Sequence, residues 1–253
     1  MTKIIAIANQ KGGVGKTTTA LSLGAALAKR GKAVLLIDLD PQGSLSSYLG
    51  FDGSGLTVYE LLMGSLPEEC IRYSETEKLD YIPATITLAN ADMEFVTAMN
   101  REMKLRRSLS QEAFERYDYV LIDCLPSLGL LTINAFAAAS SVLIPVQAQK
   151  FAVDGMGSLL GTLRLVQQEL NPALKLNGVV CTMKNKTNMS RAVTEKLIED
   201  YGDIVYKTSI SHAAEAANST YRQQSLVSYK NKLGTEYEQL AAELLAREEE
   251  TEK

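Results

Sequence analysis

The chain has 253 residues, 46% of them hydrophobic, three cysteines and a formal net charge of -4. That length suffices for one substantial core, the acidic balance leaves no global footprint for nucleic acid, and no apolar run approaches the roughly 20 residues that span a bilayer. Cys70, Cys124 and Cys181 are odd in number and far apart, which argues against a disulfide framework or a local metal motif, and Met1-Thr2-Lys3 leads into an apolar run too short for a signal peptide. A soluble, cytoplasmic protein is the expectation.

The run Ile4-Ile5-Ala6-Ile7-Ala8 reads as a buried strand, and it enters Asn9-Gln10-Lys11-Gly12-Gly13-Val14-Gly15-Lys16-Thr17-Thr18-Thr19. From residue 17 to residue 30, Ala20, Leu21, Leu23, Gly24, Leu27 and Ala28 recur at helical spacing, and Gly31 stands where a helix stops. Strand, glycine-rich turn and helix start make a phosphate cradle: backbone N–H groups from Gly12 to Thr18 point inward, and the helix N-terminus adds positive potential. Lys16 and Thr17 then supply the Gly-Lys-Thr ending that grips nucleotide phosphates and Mg2+. The general pattern wants glycine at position 10; this chain has Gln10, followed by a second lysine, Lys11.

Residues 33–37 form a second apolar run, which ends in Asp38-Leu39-Asp40-Pro41-Gln42. A parallel strand that delivers acids at its carboxyl end fits a ligand edge, and residues two apart share a face. Asp40, further out, is the candidate to position or activate a hydrolytic water. For Asp38 two roles stay open, an indirect partner of the metal or a structural hydrogen bonder. Residues 43–55 read as a loop with a short helix, 57–64 as a short helix, 79–83 as a strand and 87–116 as one or two helices, in which Arg101, Lys104, Arg106 and Arg107 form a solvated face.

Tyr119-Val120-Leu121-Ile122-Asp123 repeats the pattern of an apolar strand ending in an acid, and Asp123 is placed to orient the water shell of an ion held by Thr17. A helix over 130–139, a strand over 141–146, a helix over 154–170, a strand over 176–183, a helix over 191–201 and a short strand over 204–207 follow. Residues 211–232 read as polar and irregular, and a final helix over 234–247 carries Tyr237, Leu240, Ala241, Leu244 and Leu245 on one face. The alternation implies an α/β fold, a mostly parallel twisted sheet with helices on both faces. A single domain over 1–247 and an acidic, disordered tail over 248–253 are expected. His212, the lone histidine, reads as a surface residue.

Lys11-Gly12-Gly13-Val14-Gly15-Lys16-Thr17 resembles the deviant Walker A motif of the ParA, MinD and nitrogenase-iron-protein superfamily of P-loop NTPases. Likeness to the ParA/Soj partition ATPases extends to Leu36-Ile37-Asp38-Leu39-Asp40-Pro41-Gln42-Gly43, to Ile82-Pro83-Ala84-Thr85 and to Ser127-Leu128-Gly129-Leu130-Leu131-Thr132-Ile133-Asn134-Ala135. The resemblance implies a Mg2+-dependent ATPase in which Lys11 reaches across a nucleotide-sandwich homodimer and Asp40 supports hydrolysis. It further implies nonspecific DNA binding in the ATP state, hence a nucleoid-associated protein, and a ParB-like centromere-binding partner that stimulates hydrolysis while plasmid or chromosome is partitioned. No membrane partner is expected.

Two stretches depart from the family pattern. Leu125 takes the place of a first proline before Pro126, and residues 211–224 lack the family's Pro-Arg segment and its Gly-Lys pair. DNA-contact candidates are therefore chosen by charge: residues 181–233 hold eight Lys or Arg against five acids, and Lys184, Lys186, Arg191, Arg222 and Lys230 are the candidates. Alternatives are a MinD-like positioning ATPase, disfavoured by the seven glutamates after Gly234, and a nucleotide-gated binding module with little turnover. An iron-sulfur electron-transfer ATPase would need a bridging cysteine pair that the spacing does not offer.

Overall fold

A computed structural model describes residues 2–149 and 156–251. Strands β1 (Lys3–Ile7), β2 (Val34–Leu39), β3 (Arg72–Ser74), β4 (Leu79–Ile82), β5 (Tyr119–Cys124), β6 (Ser141–Gln147) and β7 (Lys175–Thr182) form one sheet in the order β3-β4-β2-β5-β1-β6-β7. All neighbours pair in parallel except β3 with β4. Because β5 lies between β2 and β1, the chain ends of these three strands meet side by side at one edge, where the connection order reverses and α/β ligands collect.

Period-two alternation sends successive residues of each strand to opposite faces. Ala6, Leu35, Ile37, Leu39, Val120 and Ile122 pack into one core with α3 (Val58–Met63), α6 (Lys104–Leu109), α7 (Leu130–Ala138), α8 (Met156–Glu169) and α9 (Asn188–Tyr201). Ile5, Ile7, Val34, Leu36, Tyr119 and Leu121 pack into the other with α1 (Lys16–Ala28), α2 (Ser44–Tyr48) and α11 (Lys232–Thr251). Gly24 sets how closely α1 sits, since a Cβ there would meet Leu36 Cδ2 at 2.7 Å. The faces of Asp38 and Asp123 follow: their chain neighbours Ile37, Leu39, Ile122 and Cys124 belong to the first core, so both acids turn toward α1.

Several expectations change. The interval over 87–116 is a series of short pieces, with α5 (Ala91–Glu94) and α6 separated by 3-10 turns, because the backbone turns extended at Ala98 and left-handed at Asn100, which ends helical progress there. The edge strand β3 and the turn of helix α4 (Pro67–Cys70) were not anticipated; β3 offers only three residues and little apolar signal. In place of a strand over 204–207 there is a 3-10 turn at Gly202–Ile204 and a single bridge from Val205 to Val179. Residues 211–232 contain helix α10 (Glu215–Arg222). The acidic tail is helical to Thr251, since Glu248 pairs with Lys3 at 3.1 Å and accepts a hydrogen bond from the Tyr119 hydroxyl, fixing the last turns against the sheet. Residues 154–155, the expected start of α8, and 252–253 of the tail lie outside the described residues.

Candidate nucleotide site

Gly13 and Gly15 have φ of 72° and 88°, the left-handed region that β-carbons disfavour, and they curl residues 10–15 into a loop over the end of β1. Gly15 is the N-cap of α1 and brings no side-chain cap, and no acid occupies the first turn. The first N–H groups of α1 therefore remain available to an anion, with the helix dipole behind them. The Thr182 hydroxyl donates to the Val14 carbonyl at 2.8 Å and ties the loop to the end of β7. Gly12 and Gly13 are exposed at the tip, while Thr17 and Thr18 are half-buried in the first helical turn.

The two lysines of the loop differ sharply. Lys16 is 7% exposed, its Nζ donates to the Lys11 carbonyl at 3.4 Å, and burial pulls its pKa below the usual lysine range while Asp123, Cys124 and Asp40 oppose that shift. Lys11 is exposed. A buried lysine turned onto its own loop is ready to meet phosphate inside the cradle.

Acids from adjacent strands complete the site. Asp38 stands in register with Asp123, and Asp123 in turn with Ile7, the last residue of β1. Both Asp123 carboxylate oxygens are buried without a hydrogen-bond partner among the described residues. Burial raises the Asp123 pKa well above the carboxylate range and the Asp38 charge adds to the rise; the nearby Thr17 hydroxyl and Lys16 ammonium pull the other way. Buried carboxylates are normally paired or bound to cations, so orphaned oxygens beside a hydroxyl and a second acid are a donor set suited to a hard divalent ion. Thr17, Asp123 and, at one remove, Asp38 fit Mg2+.

Asp38 is fully buried, and its Oδ2 accepts from both the N–H and the hydroxyl of Ser46 at 2.9 and 2.7 Å; burial still raises it to about 6. Ser46 Oγ in turn accepts from the Ala84 N–H at 2.8 Å, linking α2 to the end of β4. Asp40 is half-buried at the rim, where its Oδ1 accepts from the Gln42 N–H at 2.9 Å in an Asx turn that fixes the carboxylate. Lys11, Lys16, Thr17, Asp38, Asp40 and Asp123 thus all lie at one edge of the sheet. Sequence reasoning missed Ser46 and Thr182, because nothing in their local pattern reveals a partner 38 or 168 residues away.

The charge-selected lysines and arginines fall into two groups. Lys184 is bridged to Ser211, and its N–H donates to the Ile210 carbonyl; Lys186 and Arg191 follow it at the exposed start of α9, which Thr187 caps. Arg222 stacks on Tyr229, 4.9 Å from the ring centre, next to the exposed Lys230. His212 is exposed. Leu125 is half-buried against the core on the side of α3 and α7. Cys70, Cys124 and Cys181 are buried free thiols.

An AAA domain family matches residues 2–176. The chain is 46% identical to the sporulation initiation inhibitor protein Soj of Bacillus subtilis, over 90% of this chain and 92% of that one. It is 42% identical to the chromosome-partitioning ATPase Soj of Treponema pallidum, over 98% and 99%. Among solved structures it is similar to a Borrelia burgdorferi protein described as a plasmid partition protein and bound to AMPPNP, with a TM-score of 0.84, 28% identity and coverage of 98% and 100%. It is also similar to cobyrinic acid a,c-diamide synthase from Mycobacterium smegmatis with bound ATP analog and magnesium, with a TM-score of 0.86, 38% identity and coverage of 97% and 95%. One fold thus carries two differently named activities.

Proposed function

The chain belongs to the ParA/Soj family of partition ATPases, and we propose that it acts as a nucleotide-gated dimer: ATP brings two copies together, the pair holds DNA without sequence preference, and hydrolysis releases it. ATP and Mg2+ are its nucleotide and ion. The observation that carries the proposal is the opposite placement of the two loop lysines, Lys16 buried in its own cradle and Lys11 exposed. A lysine that points out of its own site suits completion of a second one.

Phosphoryl transfer needs positioning and positive charge more than covalent chemistry. The N–H groups from Gly12 to Thr18 and the Lys16 ammonium hold the phosphate oxygens. Thr17 and Asp123 would hold Mg2+, which would supply charge neutralisation there when bound. Asp40 holds the attacking water and accepts its proton, its carboxylate steadied by the Gln42 N–H. Lys11 of one copy contributes positive charge to the phosphates of the other. Lys184, Lys186 and Arg191, with Arg222 and Lys230, provide the phosphate contacts to DNA, doubled by dimerisation, and a ParB-like partner times hydrolysis during plasmid or chromosome partition.

Features of the fold weigh against the rivals. The apolar face of α11, Tyr237, Leu240, Ala241 and Leu244, is buried against the rest of the chain and so is not free to enter a membrane in the manner of MinD. No described helix is long and apolar enough to cross one. The buried thiols disfavour a cluster bridging two subunits.

The test is DNA binding in ATP, in ADP and without nucleotide, for wild type and Asp40→Ala. Salt-sensitive binding in ATP alone, longer-lived in Asp40→Ala, is the expected result. Equal binding in all three states would overturn the switch.

A further inference from the structure

Lys11 can serve a neighbouring site only if its backbone is held where the loop presents it, and both of its backbone polar groups are engaged. Its carbonyl accepts from Lys16 Nζ, and its N–H donates to Asn9 Oδ1 at 2.9 Å. Asn9 is 6% exposed, and its other amide end, Nδ2, donates to the Pro145 carbonyl at 2.7 Å. The pairing of β1 with β6 ends at Ile7 with Leu143, and the Ala8 N–H donates to the Leu143 carbonyl. The Asn9 side chain therefore makes the next rung with β6 after the β1 backbone has turned away, and from that rung it reaches forward to Lys11. Pro145 lies beyond the paired stretch, where its missing N–H breaks no rung between the two strands.

From this geometry we infer that Asn9 is a positioning residue for Lys11: it anchors the outward-facing lysine to the rigid strand β6 and so sets how strongly ATP joins two copies of the chain. The inference rests on the reading of Lys11 as the lysine shared between subunits. Asn9 need not touch nucleotide. Its bond to Lys11 is the i to i+2 Asx type, which a serine at the same position can also make, although a serine is too short to keep the bond to Pro145. An alanine makes neither.

The test compares Asn9→Ala, Asn9→Ser, Lys11→Ala and the double variant Asn9→Ala/Lys11→Ala by sedimentation in saturating ATP, with ADP affinity and thermal midpoint measured on each. Asn9→Ala should weaken the ATP dimer about five- to tenfold, the scale of one lost hydrogen bond, while ADP affinity stays within about twofold of wild type. Asn9→Ser, which keeps the turn bond to Lys11 but loses the anchor on β6, should weaken the dimer nearly as much as Asn9→Ala, and a wild-type dimer in Asn9→Ser would overturn the anchoring by β6. Removing Asn9 when Lys11 is already alanine should change the dimer constant by less than about twofold, since coupled residues are not additive. Additive losses in the double variant, or ADP binding that falls in step with dimerisation, would overturn the inference and leave Asn9 a support of the loop alone. A weak Lys11→Ala dimer beside a normal Asn9→Ala dimer would overturn it and leave the sandwich reading standing. A normal Lys11→Ala dimer would overturn both.

Discussion

The phosphate loop curls over the end of β1 into α1, residues 211–231 pack on the α1 side of the sheet, and the two are held in different ways. The loop is shaped by backbone: left-handed glycines, the free N-terminus of α1 and a carbonyl caught by Thr182. Residues 211–231 are held by individual side chains reaching far along the chain. Glu77, buried at the turn between β3 and β4, accepts from the Ser225 N–H at 2.8 Å and from the Ser228 hydroxyl at 2.7 Å, and Gln223 donates to the Ser47 carbonyl of α2. Asn231 bonds the Leu226 and Tyr229 carbonyls and accepts from the Gly234 N–H at the start of α11. Geometry fixed by backbone tolerates few sequences and so leaves a motif. Geometry fixed by pairs of polar side chains can be met by many sequences and leaves none.

Variants in the two regions should therefore fail differently. The largest effect is expected from Lys16→Ala, which removes the one charged side chain inside the cradle: nucleotide affinity should fall about 10- to 100-fold, the scale of a charged hydrogen bond, with little loss of stability. Calorimetric titration with ADP measures it, and a change under about threefold would contradict the placement of Lys16.

The acids beside the loop should show themselves through pH. Burial raises Asp38 to about 6 from its ordinary value of 3.8, so the folded protein binds more protons than the unfolded chain between those values. Nucleotide-free stability should then fall as pH rises through that interval, by about 2–3 kcal/mol from this group. Asp38→Asn should remove this group's share of the slope and leave the share of Asp123, whose pKa burial also raises, read from denaturant midpoints at about pH 4 and about pH 7. An unchanged slope would mean that Asp38 is charged throughout.

A smaller effect is expected in the second region. Glu77→Ala strands a buried N–H and a hydroxyl, and should cost about 2 kcal/mol and lower the thermal midpoint by about 4–8 °C. ADP affinity should stay within about twofold, because the perturbation is remote from the cradle. A large loss of nucleotide binding in Glu77→Ala would erase the contrast between the regions and make residues 211–231 part of the site.

The same contrast explains what could be read from sequence. The strands that carry Asp38, Asp40 and Asp123 are continuous apolar runs ending in acids, and the glycines around Lys16 announce their own turn, so most of the sheet and the site edge were legible. Helix α10 was not, because its eight residues are mostly polar and offer only Ala216, Ala217 and Tyr221 as apolar positions, too few to repeat a helical period. The fragmentation over 87–116 was not, because Leu88, Phe95, Leu105 and Leu109 all reach the core from short pieces whose combined pattern imitates longer helices. The helical end of the chain was hidden because Glu248 is held by Lys3 and Tyr119, residues with no sequence-local relation to it. Asn9 and Ser46 stand inside readable stretches, yet their partners Pro145 and Ala84 are visible only in three dimensions.

The central claim is that ATP makes one site out of two chains, and the solution mass of Asp40→Ala by sedimentation tests it most directly. The account predicts a dimer in ATP with Mg2+ and a monomer or weak dimer in ADP. The same mass in both nucleotides would contradict it.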